Sequence, residues 1–197
     1  MKTTTLHHLF IAYVLVMGFN YVATVAGKPF IVYENELAEN FQGLMLFASM
    51  MVFAVYLFRC DQFLRAIISC GFLFFLTFLL RELDVESFKI PTLFIHLGSG
   101  HGRNIILLSL WLIALAYFFE NARQNIRIVR KLFLSQSGKL YVIGGLMALS
   151  GEILDAFGGH GIPLYEELTE IIAYYFMLAG AISTPGTLKA INARNTL

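Results

Sequence analysis

Long runs of apolar residues alternate with short polar segments along the whole chain. A helix needs about 20 mostly apolar residues to cross a bilayer. Six runs approach that length, at about 8–27, 42–58, 64–81, 104–120, 140–157 and 164–183. The pattern therefore predicts an all-α fold: a polytopic integral membrane helical bundle of six spans that forms one membrane domain over residues 1–197.

The composition argues against a soluble domain. Hydrophobic residues make up 58% of the chain and charged residues 14%, whereas soluble domains carry roughly 25% charged residues. The net charge is +1, and no block of basic residues adjoins aromatic stacking residues, so we expect no nucleic-acid partner. The partner that the composition predicts is the lipid bilayer.

Charge segregation predicts the orientation of the spans, because lysines and arginines of short loops favour the cytoplasmic side. If six helices alternate, ten basic and two acidic residues fall on one side, and four basic and eleven acidic residues fall on the other. The strongest basic segment lies between spans 4 and 5 and includes Arg127 and Arg130. We expect a multi-pass protein of the cell inner (plasma) membrane, with both termini cytoplasmic and three hairpins that open outward.

The first run also has features of a secretory signal peptide. It begins after Lys2 and ends in Ala23-Thr24-Val25-Ala26, a small-x-small cleavage pattern. The length of the run and the presence of Asn20 and Tyr21 favour a retained span instead. Either outcome leaves the remaining topology unchanged.

Two cysteines, Cys60 and Cys70, flank the start of span 3. The predicted orientation places them near the cytoplasm, where thiols stay reduced. We interpret both as small buried hydrophobic side chains.

Acidic residues gather at the outer ends of spans 3, 5 and 6. Glu166 and Glu167 follow Pro163 at the start of span 6, where the helix dipole stabilises negative charge. Four other acids lie at the C-terminal ends of spans 3 and 5: Glu82, Asp84, Glu152 and Asp155. The dipole disfavours negative charge there, so these acids require a proton, a metal ion or a cation from another helix.

Two of the acids are predicted to lie below the membrane surface at one level. Glu152 precedes the Gly158-Gly159 break by six residues, which places it roughly 9 Å inside at 1.5 Å per residue. Glu170 lies a similar distance after Pro163, and consecutive helices joined by a short loop run antiparallel. Ionisable residues within a membrane mark functional sites by default.

The predicted site is an outward-facing carboxylate pocket that binds protons or a cation. Carboxylates this close cannot all stay ionised without a counter-ion, for which Arg81 and Arg103 are candidates. The candidate residues are Glu152, Asp155, Glu170, Glu167, Glu166, Glu82 and Asp84.

The outward histidines His96, His101 and His160 extend the site to a metal hypothesis. Three histidines near clustered carboxylates form a plausible ligand set for zinc, iron or manganese. No compact motif such as HExxH accompanies them. We therefore keep a divalent metal ion as a candidate cofactor.

Three functions fit this pattern. The leading hypothesis is a cation- or proton-coupled transporter. The first alternative is a membrane-embedded metal-dependent hydrolase that acts on a lipid or lipid-linked substrate at the outer leaflet, with a metal-activated water. The second is a non-catalytic assembly or sensor subunit, for which a homo-oligomer or a membrane complex would supply the partner. Whether the protein is an enzyme stays open.

Overall fold

The computed structural model describes residues 3–25, 37–83, 99–157 and 162–193, and in these ranges every regular element is helical. The helices in chain order are α1 (Thr3–Asn20), continued by a π-helical turn (Tyr21–Val25), α2 (Leu37–Leu57), α3 (Gln62–Glu82), α4 (Gly100–Glu120), α5 (Ala122–Leu134), α6 (Gln136–Phe157) and α7 (Ile162–Ala193). The prediction of an all-α membrane bundle is confirmed at this level.

Four of these helices, α2, α3, α4 and α7, are long and apolar enough to cross a membrane. A fifth span is reached if α5 and α6, which meet at a bend of 77°, count together as one. The apolar part of α1, His7–Asn20, is shorter than a full span. The described residues therefore contain four to five candidate spans, where the sequence predicted six.

The centre of the bundle is α7, which contacts α1, α2, α5 and α6. Its side chains Ile171, Tyr174 and Phe176 are at most 1% exposed, as expected for a helix that is apolar on all sides and surrounded by others. A hydrogen bond of 2.9 Å between His8 Nδ1 and the Tyr175 hydroxyl ties α1 to this central helix. By contrast, α4 is peripheral and packs mainly on α3.

The most extensive helix pair is α6 with α7, and glycine makes their close approach possible. A Cβ atom at Gly144 would lie 2.8 Å from the carbonyl oxygen of Ala173 and 2.9 Å from Met177 Cγ. Small residues at such a contact let two backbones approach and gain van der Waals contact where no hydrophobic effect is available. The absence of a side chain at Gly144 therefore permits the close contact between α6 and α7 at this level.

The basic segment between the predicted spans 4 and 5 is itself a helix, α5. Its buried face consists of Asn125, Ile128 and Leu132. Its exposed basic face includes Arg123, Arg127 and Arg130. An amphipathic helix of this kind, set at a sharp angle to the helix that follows, is typical of the membrane interface.

The last helix runs ten residues beyond its predicted end at 183 and contains Pro185. Proline removes one backbone donor, and the neighbouring hydroxyl groups bond back to the helix. Thr184 Oγ1 donates to the Gly180 carbonyl at 2.8 Å. The apolar pattern underestimated the length of α7 because the residues after position 183, which begin with Thr184 and Pro185, do not continue the apolar run.

We expect Gly144→Ala to destabilise the bundle, because the added methyl group would collide with backbone atoms of α7. Overpacking of this kind costs about 1–3 kcal/mol. Thermal unfolding of the purified protein in detergent would show the loss. Gly145→Ala is the matched control, since a Cβ there meets nothing within 4 Å; equal unfolding temperatures for the two variants would contradict the close packing.

Candidate functional site

Three glutamates from three helices meet one arginine at the end of α3. Arg81 Nε lies 3.0 Å from Glu82 Oε1, and Arg81 Nη2 lies 3.4 Å from Glu170 Oε1 on α7. Arg81 Nη1 donates to Glu152 Oε1 on α6. We call these four residues the Arg81 cluster. The cation from another helix that the sequence required for Glu152 is thus supplied by α3.

Close packing of α6 on α7 brings two of these glutamates to one level. Gly151 precedes Glu152 directly, and a Cβ at Gly151 would lie 3.1 Å from Thr169 Oγ1 and 3.2 Å from Glu170 Cγ. The backbone of α6 therefore passes next to the side chain of Glu170. Glu152 and Glu170 therefore lie at the same level along the α6–α7 pair, as the antiparallel packing of the two spans predicted.

Burial within the Arg81 cluster is graded from the bundle interior to its surface. The side chains of Glu82 and Glu170 are 10% and 11% exposed, whereas those of Arg81 and Glu152 are 46% and 51% exposed. Three carboxylates against one guanidinium leave two negative charges in excess when all are ionised. A buried surplus of this kind favours proton uptake or binding of a further cation.

Tyr174 and Phe78 complete the inner wall of the cluster. The Tyr174 hydroxyl donates to Glu82 Oε1 at 2.8 Å, and Tyr174 lies one turn after Glu170 on the same face of α7. The ring of Phe78 lies 5.7 Å from the guanidinium carbon of Arg81, in cation–π range. Both aromatic residues hold the charged groups in place from the apolar side.

A second polar contact lies next to the cluster, between α2 and α7. Gln42 Nε2 donates to Glu167 Oε2 at 2.7 Å and lies 3.4 Å from the Glu167 carbonyl oxygen. Gln42 is only 1% exposed. An amide buried in an apolar helix is stable only with such partners, so α2 is fixed to the acidic end of α7.

The other predicted site residues fall into two groups. Glu166 is half-buried on α7, and His101 is exposed in the first turn of α4. Asp155 belongs to α6, but its side chain is not among the described ones. Asp84, His96 and His160 lie outside the described residues.

Arg103, the other candidate counter-ion, has a different partner. Its Nη1 donates to the Leu80 carbonyl oxygen at 2.7 Å. It therefore satisfies a backbone acceptor near the C-terminal end of α3, where the helix leaves carbonyl groups without intrahelical donors.

In the described ranges, no group of three or more His, Cys, Asp or Glu side chains is placed to hold a metal ion. The Arg81 guanidinium stands between the three glutamates of the cluster. The divalent metal ion stays a prediction.

Sequence reasoning missed Gln42 and Tyr174, although each carried a signal. Gln42 is a polar residue in the apolar run of α2, and Tyr174 follows Glu170 by one helical turn. It also missed a group of hydroxyl contacts at the opposite end of α6 and α7. Within this group Ser137 Oγ lies 2.8 Å from Thr187 Oγ1 and 2.9 Å from Ser183 Oγ, and the Tyr141 hydroxyl lies 2.9 Å from Thr184 Oγ1.

The two cysteines are free thiols. Cys60 is 8% exposed in the turn between α2 and α3, and its thiol contacts the Leu57 carbonyl oxygen at 3.5 Å. Burial raises the pKa of the Cys60 thiol, while the nearby Arg65 acts in the opposite direction. A thiol kept protonated by burial is a poor nucleophile, which agrees with its interpretation as a packing residue.

Comparison with protein-family models, with curated proteins and with solved structures gives no match.

Arg81→Gln is expected to lower the stability of the protein, because it leaves buried carboxylates without their counter-ion. Breaking a buried ion pair costs roughly 3–5 kcal/mol, and we expect a loss on the order of 2–3 kcal/mol because Arg81 is half-exposed. Thermal unfolding in detergent measures it. Arg103→Gln is the control, since Arg103 bonds to a backbone carbonyl.

Combining Arg81→Gln with Glu170→Gln should recover part of the lost stability, because the second change removes one of the unpaired charges. Equal losses for Arg81→Gln and Arg103→Gln, with no recovery in the double variant, would show that the guanidinium does not hold the glutamates.

Proposed function

We propose that the Arg81 cluster is an outward-facing binding site for protons or a cation, and that the protein uses it for cation- or proton-coupled transport. The observation that supports the proposal is the convergence of Glu82, Glu152 and Glu170 on one guanidinium. Ionisable groups within a membrane bundle that are shared between helices are typical of ion and proton pathways.

In the proposed mechanism, the incoming cation or proton competes with Arg81 for the carboxylates. Glu152 is half-exposed and receives it first, while Glu82 and Glu170 lie deeper. Neutralising Glu152 releases one of the three contacts of Arg81. The guanidinium can then move toward the remaining carboxylates, which changes how α6 is held against α3 and α7.

Polar groups at the far end of the same two helices support a route beyond the cluster. The hydroxyl contacts of Ser137, Tyr141 and Thr184 lie on α6 and α7, as do Glu152 and Glu170. Between the two polar ends, the helices meet through small residues such as Gly144, Ala173 and Gly180. A sliding or tilting of α6 along this seam is the motion that we propose couples the two ends.

We further propose the six-span arrangement. In it, α1 with its π-helical turn serves as the first span, and α6, including the end that carries Glu152, serves as the fifth. The three hairpins then open outward, and both termini face the cytoplasm of the inner membrane. Contacts at the opposite end from the Arg81 cluster support this orientation. The α2–α3 turn meets the end of α7 there, and Asn192 Nδ2 donates to Asp61 Oδ2 at 3.2 Å. Basic Arg59 of the turn and Lys189 of α7 line a cavity at the same contact.

The alternative functions stay separate predictions with their own tests. Stoichiometric metal in the purified protein, lost in a Glu152→Ala/Glu170→Ala variant, would favour the metal-dependent hydrolase. Neither metal nor ion flux, together with a stable homo-oligomer or membrane complex, would favour the assembly or sensor subunit.

Transport is tested by reconstituting the protein in liposomes and following internal pH with a dye under imposed proton, sodium or manganese gradients. We expect flux for the wild type and at least a tenfold loss for Glu152→Gln and Glu170→Gln, because both carboxylates take part in the exchange. Glu120→Gln is the matched control, since Glu120 is an exposed acid at the end of α4. Absence of flux for the wild type, or equal flux in all variants, would reject the transporter.

The proposed orientation predicts opposite accessibility of two exposed positions. In a background without the native cysteines, His101→Cys should react with a membrane-impermeant maleimide on intact spheroplasts. Arg127→Cys should react only after the membrane is permeabilised, because basic short segments stay cytoplasmic. Labelling of both positions from the same side would exclude the arrangement.

A further inference from the structure

An apolar cavity lies between α4 and α6, away from the Arg81 cluster. Its volume is about 300 Å³, and its walls include Phe74, Trp111, Phe118, Tyr141 and Met177. The peripheral position of α4 leaves this space between the helices. Its wall consists mainly of residues from α3, α4, α5 and α6.

The indole and hydroxyl groups of the cavity wall are already hydrogen-bonded within the protein. Trp111 Nε1 donates to Thr77 Oγ1 at 3.1 Å, and the Tyr141 hydroxyl pairs with Thr184 Oγ1 at 2.9 Å. The wall therefore offers almost only hydrocarbon and aromatic surface. An occupant that fits this chemistry is a flexible hydrocarbon chain rather than a polar molecule.

The cavity is closed at one end by α5, the helix with the basic face. Val129 and Phe133 of α5 line the cavity. Arg130 is exposed and precedes Phe133 by three residues, so the two side chains are neighbours along the helix surface. Arg123 and Arg127 lie on the same exposed face as Arg130. An apolar cavity and a positively charged surface thus meet at one place.

We propose that this place binds one anionic phospholipid of the bilayer, with an acyl chain in the cavity and the phosphate headgroup against Arg123, Arg127 and Arg130. Charge complementarity selects this occupant, because clustered arginines beside a membrane surface favour anionic headgroups. None of the site's residues belongs to the Arg81 cluster, and only Tyr141 and Thr184 are shared with the proposed route along α6 and α7. The readout of the proposal is lipid contact at Trp111, which does not require ion flux. The bound lipid would fill the gap between α4 and α6 and hold α5 at the interface.

Gly145 allows the cavity to be filled without disturbing the packing. It lines the cavity, and a Cβ at this position meets nothing within 4 Å. A Gly145→Leu side chain would therefore occupy the space of the acyl chain. Gly18→Leu is the matched control, since a Cβ at Gly18 on α1 also meets nothing within 4 Å and α1 contributes no residue to the cavity wall.

The single tryptophan of the chain provides the readout, because Trp111 lines the cavity. The wild-type protein is reconstituted in phosphatidylcholine vesicles that contain a small fraction of phosphatidylglycerol with brominated chains, which quench tryptophan fluorescence on contact. Brominated phosphatidylcholine at the same fraction serves as the reference lipid. We expect stronger quenching by the anionic lipid, saturating at a low fraction.

Two sets of variants distinguish binding of the acyl chain in the cavity from binding of the headgroup by the arginines. Gly145→Leu should abolish the saturable quenching, while Gly18→Leu should leave it unchanged. Replacing Arg123, Arg127 and Arg130 by glutamine should reduce the preference for the anionic lipid, by roughly fivefold for each arginine that contacts the headgroup. Thermal unfolding in detergent checks that each variant is folded.

Three results would overturn the proposal. One is equal quenching of wild-type Trp111 by the two lipids. Another is saturable quenching that persists in a folded Gly145→Leu variant. The third is protection of Trp111 from both lipids with dimers in native mass spectrometry, which would assign the cavity to a second copy of the chain.

Discussion

The structure depends on one electrostatic constraint: charges removed from water must be paired, and here three glutamates share a single arginine. Glu82 and Glu170 are about nine-tenths buried, in surroundings where an unpaired carboxylate costs several kcal/mol. Arg81 compensates only part of this charge. Helices α3, α6 and α7 must therefore stay close enough for their acids to reach the guanidinium, and the surplus negative charge is the basis of the proposed binding of protons or cations.

Helix packing places the charges where this pairing is possible. Glycines at positions 144 and 151 let α6 approach the backbone and side chains of α7, and Gln42 fixes α2 beside Glu167. The site is thus held by close helix packing and by an amide–carboxylate hydrogen bond, in addition to the contacts of Arg81. A change in the ionic contacts of Arg81 would leave the packing of α6 on α7 at Gly144 and Gly151 in place.

The sequence predicted the features that follow from hydropathy and charge. The helical membrane class and the common level of Glu152 and Glu170 needed only periodicity, span length and antiparallel packing. Other features depend on tertiary contacts that no local pattern contains. Whether Arg81 or Arg103 pairs with the glutamates depends on the direction in which each side chain leaves its helix. Likewise, α5 appeared only as a run of charged residues because its buried face is short. The helix α7 exceeded its predicted end because its last residues, which begin with Thr184 and Pro185, do not continue the apolar run.

The convergence on Arg81 can be measured directly by solid-state NMR of the protein in lipid bilayers. Nitrogen-labelled arginine and carboxyl-labelled glutamate report their proximity through dipolar coupling between guanidinium nitrogen and carboxyl carbon. We expect strong couplings from one arginine to more than one glutamate, and we expect all of them to vanish in Arg81→Gln. Couplings that survive this substitution, or their absence in the wild type, would contradict the shared pocket.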